Sequence, residues 1–205
     1  MTDMLGERLN KILPKITSED FLRGSGLSNE LPFHIFDYPA AQELRVREQI
    51  RWLLEQIPRK RPGLQVKHVN LFRFVIEYLQ SRDLLERSFE LQRQKGNNAL
   101  MKALRGPLDA ERLANHFVQV EEPGNHDLIL VSGVGSAYPL VRSHRLLNTL
   151  HPKMEQTPLV LFFPGEYDGV TLRLFGMASL ADNARAGGKD GQAPYYRAFR
   201  LIPEG

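Results

Sequence analysis

Apolar residues along the chain follow two rhythms, a 3.6-residue recurrence and short unbroken runs, and their order predicts helices alternating with strands. Thr2 or Asp3 can cap a first amphipathic helix within residues 1–16, where Leu5, Leu9, Ile12 and Leu13 recur at helical spacing and Pro14 limits the run. Residues 17–32 read as a loop with one short helical turn, Gly24, Ser25 and Gly26 being its flexible piece. FHIFD, Phe33 to Asp37, is a short buried strand. Pro39 suits the first position of a long helix reaching about Ile57. The apolar stripe of that helix is Leu44, Ile50, Leu53, Leu54 and Ile57, with Val46 and Trp52 at its margins. Arg47 and Arg51 share a face one turn apart, and Glu43 is placed to pair with Arg47. Pro58 ends this helix, and Arg59, Lys60, Arg61, Pro62 and Gly63 make a basic turn.

Val66 to Phe72 reads as a second strand, and residues 73–121 are helical throughout, divided by Gly96 and Gly106–Pro107 into three or four helices. That stretch far exceeds a minimal crossover of about a dozen residues and is read as a helical insertion. LILV, Leu128 to Val131, is the unbroken apolar run that a parallel sheet requires. It enters the loop Ser132 to Ala137, after which Pro139 opens a helix to about Leu150. LVLFF, Leu159 to Phe163, is a further strand. Pro164, Gly165 and Asp168–Gly169 then turn the chain into a hairpin with Thr171 to Phe175. Residues 177–194 lack periodicity and are expected to form a mobile surface loop, and YYRAFRLI, Tyr195 to Ile202, alternates like a last strand.

The pattern predicts one α/β domain over 1–205: three layers, Rossmann-like, around a mostly parallel sheet. Its C-terminal edge, the hairpin plus the last strand, is expected to be antiparallel. Ligand crevices of such sheets lie beyond the carboxyl ends of the parallel strands, which places Asp37, the Ser132–Ser136 loop and Glu166 near one edge.

Composition narrows the function classes. The 205 residues contain no cysteine, which excludes disulfide scaffolds, thiolate zinc sites and cysteine nucleophiles and fits a reducing compartment. No apolar run nears the roughly 18 residues of a membrane span, and the N-terminus lacks the continuous apolar core of a signal peptide, so a cytoplasmic location without membrane contact is expected. Net charge is +3 but unevenly spread. Arg59 to Arg105 holds eleven Lys or Arg against four Asp or Glu, leaving sixteen against twenty elsewhere. Such asymmetry suits either a solvated helical surface or an anionic partner, with Arg59, Lys60 and Arg61 as the candidate nucleic-acid contact.

The chain carries few signatures of chemistry. The loop after LILV fails as a Walker A motif, because Gly135 is followed by Ser136 and Ala137 and no lysine occurs before Lys153. It fails as a dinucleotide fingerprint because Tyr138 stands where a small residue is required. A weak anion site from its backbone amides remains an alternative to a tight structural turn. Neither Ser132 nor Ser136 sits in a Gly-x-Ser-x-Gly elbow, and no two histidines have metal-ligand spacing. No cofactor, metal or catalytic residue is therefore assigned. Tyr195, Tyr196 and Phe199, interleaved with Arg197 and Arg200, either stack bases or, as expected for a strand completing the sheet, pack into the core.

The segments LILVSGVGSAYPLVRSHRLLNTLHPKMEQTPLVLFFPGEYDGVTLRLF and YYRAFRLIP strongly resemble the BrxB family, small components of BREX bacteriophage-defence systems. FHIFDYPAAQELRVREQIRWLLEQI is similar to it as well, so the resemblance spans most of the chain. Its markers are Gly133, Val134, Gly135, the Pro139 helix with Arg142, Ser143 and His144, then Asn148, Leu150, FFPGEYDG and Tyr-Tyr-Arg. The resemblance implies membership of an assembly with a phosphatase-like protein (PglZ), an adenine-specific DNA methyltransferase (PglX) and a large ATPase (BrxC). It implies an adaptor role rather than an enzyme, with the PglZ-type protein as expected partner. Candidate contact residues are Leu5, Leu9 and Ile12 with Arg47 and Arg51. Ser132, Gly133, Gly135, Ser136, Arg142 and His144 form a possible second site. A DNA-contacting module and a degenerate nucleotide-binding protein are the competing readings.

Overall fold

The computed structural model describes residues 3–23, 33–154, 156–176 and 198–203. Strands β1 (Phe33–Tyr38), β2 (Val66–Asn70), β3 (Leu128–Ser132), β4 (Leu159–Tyr167) and β6 (Ala198–Arg200) form a parallel sheet in the order β2-β3-β4-β1-β6. A short β5 (Leu172–Leu174) returns antiparallel along the end of β4, as the hairpin turn residues predict. The fold class is the expected three-layer α/β sheet. The last strand corrects the expectation: β6 runs parallel to β1, pairing Phe33 with Ala198 and Ile35 with Arg200. Alternation assigns side chains to faces but carries no information on strand direction, so the pattern YYRAFRLI fits either sense.

Successive residues of the buried strands feed opposite layers. Phe33, Ile35, Ile129, Val131, Leu159, Leu161 and Phe163 face one core, and Phe36, Leu128, Leu130, Val160 and Phe162 face the other. The second core is closed by α1 (Met4–Asn10), α2 (Ile12–Ile16) and α4 (Glu43–Lys60), with Phe21 of α3 (Glu19–Leu22) at its margin. The first is closed by α5 (Leu71–Ser81), α7 (Ala110–Glu121), α8 (Val134–Ala137) and α9 (Ser143–Leu150). Between α5 and α7, α6 (Leu85–Leu104) is broken at Gly96 and buries only Leu104 fully, with Leu85 and Leu100 packed partly against the first core.

Several boundaries differ from the sequence reading for local reasons. Asp3 caps α1 by accepting the Gly6 N–H at 3.1 Å, but the first break falls at Lys11, while Pro14 sits inside α2. At that third helical position the missing proline N–H would have had no partner anyway. A 3-10 turn over Ala40–Gln42 precedes α4, which runs through Pro58 to Lys60, because a proline in the last turn removes a single ladder bond. In α4 the margin residue Val46 is buried and Leu44 is exposed, so the stripe is Val46, Ile50, Leu53 and Ile57. β2 ends at Asn70, whose side chain caps α5 at once by accepting the Arg73 N–H at 3.1 Å. The helix expected from Pro139 begins at Ser143, since Gly133 turns the chain off β3 straight into α8 and residues 138–142 reposition it. The expected loop 177–194 and Tyr195, Tyr196 and Arg197 lie outside the described residues. Of the last-strand side chains, Phe199 is exposed, and Leu201 and Ile202 enter the core instead.

Candidate functional site at the carboxyl edge of the sheet

β1, β3 and β4 end at one edge. The chain leaves β1 for α4 on one face and leaves β3 for α8 on the other, the divergence that opens a ligand crevice in sheets of this kind. Asp37 and Ser132 lie at the ends of β1 and β3 on this edge, and Glu166 lies on the stretch of β4 that extends beyond it. Here the crevice is crossed by the protein's own side chains.

The deepest group is Asp37, 3% exposed at the end of β1. Its Oδ1 accepts from Arg8 of α1 at 2.7 Å, and its Oδ2 accepts from Arg200 of β6 at 3.0 Å and from the Tyr167 N–H at 3.1 Å. Arg200 also donates to the Tyr167 carbonyl, and Arg8 to the Ile202 carbonyl at 3.4 Å, with its guanidinium 4.9 Å from the centre of the Phe36 ring. Burying a carboxylate this deeply is costly unless it is paired and hydrogen-bonded, as it is here. One carboxylate thus ties the N-terminal helix, β1, the hairpin and the last strand together.

A second chain of bonds crosses nearer the surface. The Tyr38 hydroxyl donates to Glu43 Oε2 at 2.6 Å, Arg47 Nε donates to Glu43 Oε1 at 2.8 Å, and Arg47 Nη2 donates to Ser136 Oγ at 3.3 Å. Burial, and then the adjacent Glu43 carboxylate, push the Tyr38 phenol far above its ordinary value, so it stays a donor. Arg47 and Ser136, placed in separate candidate sites by sequence, are thereby joined.

The glycine loop is shaped by packing. Gly133 has φ +73°, and a Cβ there would fall 2.5 Å from Asn70 Oδ1, the cap of α5. Gly135 lies against Phe175 and Pro164, both about 3.0 Å from where a Cβ would stand. Ser132 Oγ is 2.9 Å from His68 Nε2, and burial lowers the pKa of that imidazole. Gly135 is thus packed against the β4–β5 hairpin, and α8 has only one turn.

Among the described residues this edge presents an aromatic pair outward, beside the exposed Ser136, Arg47 and Glu166. Tyr138 is 46% and Phe175 41% exposed, with their rings nearly perpendicular and 6.2 Å apart. Phe175 holds φ +58°, a conformation that costs a residue with a Cβ and is maintained by its seat over Gly135. Val170, at the hairpin tip, is exposed as well.

The remaining candidates are dispersed. Leu9 and Ile12 are buried in the second core and Leu5 packs against it, so this helix face is docked on its own protein rather than offered outward. Arg51 is exposed on α4. Arg59 and Lys60 are exposed in its last turn, whereas Arg61 donates to the Thr17 carbonyl at 2.9 Å and to Glu19 at 2.5 Å, closing the α2–α3 corner. Arg142 and His144 are exposed at the start of α9, and the Asn148 side-chain nitrogen lies 3.3 Å from His144 Nε2. Among the described residues no three His, Asp or Glu side chains group as metal ligands, and no helix is long and apolar enough to cross a membrane. Sequence reasoning missed Arg8, His68 and Phe175. The one available signal was Asp37 itself, a carboxylate closing a buried strand; its partners lie 29 and 163 residues away.

The family model described as BREX protein BrxB matches residues 67–201, from β2 through β6. The chain belongs to the BrxB family. It is 37% identical over 202 residues to a BREX protein BrxB of Bacillus cereus (strain H3081.97), covering 97% of each chain. It is 35% identical over 201 residues to a BREX protein BrxB of Escherichia coli O9:H4 (strain HS), covering 98% of this chain and 93% of that one. These BrxB alignments extend over β1 and α4 as well, so the whole carboxyl edge falls within the similarity. No solved structure matches. BrxB proteins are components of BREX phage-defence systems, and this chain is one of them.

Proposed function

We propose that this BrxB chain is a non-catalytic adaptor in a BREX assembly, acting through protein–protein contact, with the PglZ-type phosphatase-like protein as its partner. One observation carries the reading. The edge where an α/β sheet would hold a substrate is bridged by Arg8–Asp37–Arg200 and Tyr38–Glu43–Arg47–Ser136, and its outer surface includes an aromatic pair, Tyr138 and Phe175. Exposed aromatic side chains beside arginines are the side-chain types that anchor protein interfaces. Arg47 flanks this face through Ser136, and Arg142 follows Tyr138 by four residues.

The test is co-purification of the separately tagged BrxB chain and the PglZ-type protein, wild type against Tyr138→Ala, Phe175→Ala and Val170→Asp. Loss of an anchor is expected to weaken the complex about 30-fold or more, the scale of a hot-spot residue at about 2 kcal/mol. Val170→Asp alters only the exposed hairpin tip, so it separates a lost contact from a disturbed fold. Absence of a complex at micromolar concentration, or undiminished recovery of all three variants, overturns the reading.

A further inference from the structure

Away from the carboxyl edge, α1 and α4 diverge to leave a surface groove of about 430 Å³, lined by Asp3, Glu7, Asn10, Arg45, Glu48, Gln49 and Trp52 among others. Two contacts hold the groove in shape. Asp3 pairs with Arg45 through both carboxylate oxygens, and Gln49 donates to the Leu9 carbonyl at 3.3 Å. A Cβ at Gly6 would run into the Asp3 carboxylate and the Arg45 guanidinium, so the seat of this ion pair over α1 favours glycine there.

The lining has a definite chemistry. Trp52, the single tryptophan of the chain, is 43% exposed on the groove wall. Arg45, the one cation among the lining residues, is neutralised by Asp3. The Asp3 carboxyl is held down to about 2, first by its hydrogen bond from Arg45 and then by the Gly6 N–H, so this cancellation persists at every ordinary pH. The two other lining carboxylates, Glu7 and Glu48, have no ion pair to a cation among the described residues, which leaves the groove negative beside an indole face. An indole ring attracts cations to its face, and carboxylates alongside supply the counter-charge.

We propose that this groove binds a lysine or arginine side chain presented by a basic segment of a partner protein, with the Trp52 ring against the cation and Glu7 and Glu48 as its counter-ions. The occupant is chosen by charge complementarity. An acidic segment or a nucleic-acid phosphate would meet two unneutralised carboxylates, and a purely apolar segment would bury them without a partner. The groove does not involve Tyr138, Phe175 or the crevice, so it stands or falls apart from the adaptor contact proposed there.

Because Trp52 is the sole tryptophan, its fluorescence reports on the groove directly. The full chain is titrated at low ionic strength with a capped (Gly-Arg)4 peptide, with (Gly-Glu)4, with (Gly-Ser)4 and with a short DNA duplex. The arginine peptide is expected to give a saturable change that added salt weakens, and the other three no saturable change. Combined Glu7→Gln and Glu48→Gln replacement should weaken binding at least tenfold, and Glu86→Gln on α6 should not. Both glutamates of the groove are exposed, so the variant is expected to keep the wild-type melting temperature. Anisotropy of a fluorescein-labelled arginine peptide then separates Trp52→Phe, which retains part of the affinity, from Trp52→Leu, which loses it. No saturable response to the arginine peptide, an equal response to the glutamate peptide or the duplex, or wild-type binding by the double glutamine variant or by Trp52→Leu overturns the assignment.

Discussion

Replacing Asp37 by Asn removes one charge and almost no volume, yet it strikes the position where four parts of the chain converge. In the wild type the carboxylate, 3% exposed, faces Arg8 at 2.7 Å and Arg200 at 3.0 Å, and the Arg8 and Arg200 side chains are themselves only 11% and 29% exposed. With Asn both guanidiniums lose this carboxylate, and one of them meets an amide NH2 where it had an acceptor. Breaking a buried ion pair from one side costs about 3–5 kcal/mol, because the remaining charge is desolvated and uncompensated. For a domain of this size each kcal/mol moves the melting temperature by about 2–4 °C, so Asp37→Asn should melt roughly 6–20 °C lower. Differential scanning calorimetry measures this directly, and added salt should not restore it, since the cluster is shielded from mobile ions. The combined variant Arg8→Met, Asp37→Leu, Arg200→Met supplies the internal control. Replacing the whole cluster with apolar groups removes the one-sided break and should recover most of the loss. A melting temperature for Asp37→Asn within about 2 °C of wild type refutes this account of the cluster. A triple variant no more stable than the single one refutes it as well.

Gly133→Ala forces a Cβ into a left-handed backbone, at about 1–2 kcal/mol, and against the Asn70 side chain, endangering a cap worth about 1 kcal/mol. Urea unfolding should therefore show a loss of about 2 kcal/mol or more. Gly63→Ala, with φ +89° but open space around it, should lose only the backbone share, and equal losses would sink the packing explanation of the loop. Burial lowers the His68 pKa, so below about pH 6.5 the unfolded chain binds a proton that the folded chain resists. Stability must then fall as pH drops from 6.5 until the folded-state pKa is reached. His116 is shifted the same way, chiefly by burial, so His68→Gln should lessen the slope of urea midpoint against pH between 6.5 and 5 without abolishing it. An unchanged slope contradicts the assignment.

Much of this architecture is legible in one chain because the hydrophobic effect writes burial into residue order. LILV and LVLFF are unbroken apolar runs since both their faces meet helices, and β3 and β4 occupy interior positions of the sheet. Asp3 announces the start of α1, and Gly133 announces a turn, because capping and left-handed backbone select residue types locally. The same local logic placed Pro139 at a helix start and Pro58 at a helix end, and both positions differ in the fold. A proline shows where an N–H is missing, and the packing of neighbouring side chains decides whether that matters.

What one chain read alone determined was the alternation of strands and helices, the parallel core, the edge at which Asp37 and the glycine loop would meet, and the BrxB kinship. Only the tertiary structure decided the direction of β6, the docking of Leu9 and Ile12 on their own core, the recruitment of Arg61 to Glu19, and the joining of Arg8 and Arg200 to one carboxylate. The physical reason is range. Periodicity, capping and turn chemistry act over a few residues and leave their mark in neighbouring letters, whereas a charge pair formed across 163 residues leaves none until the sheet has brought its members together.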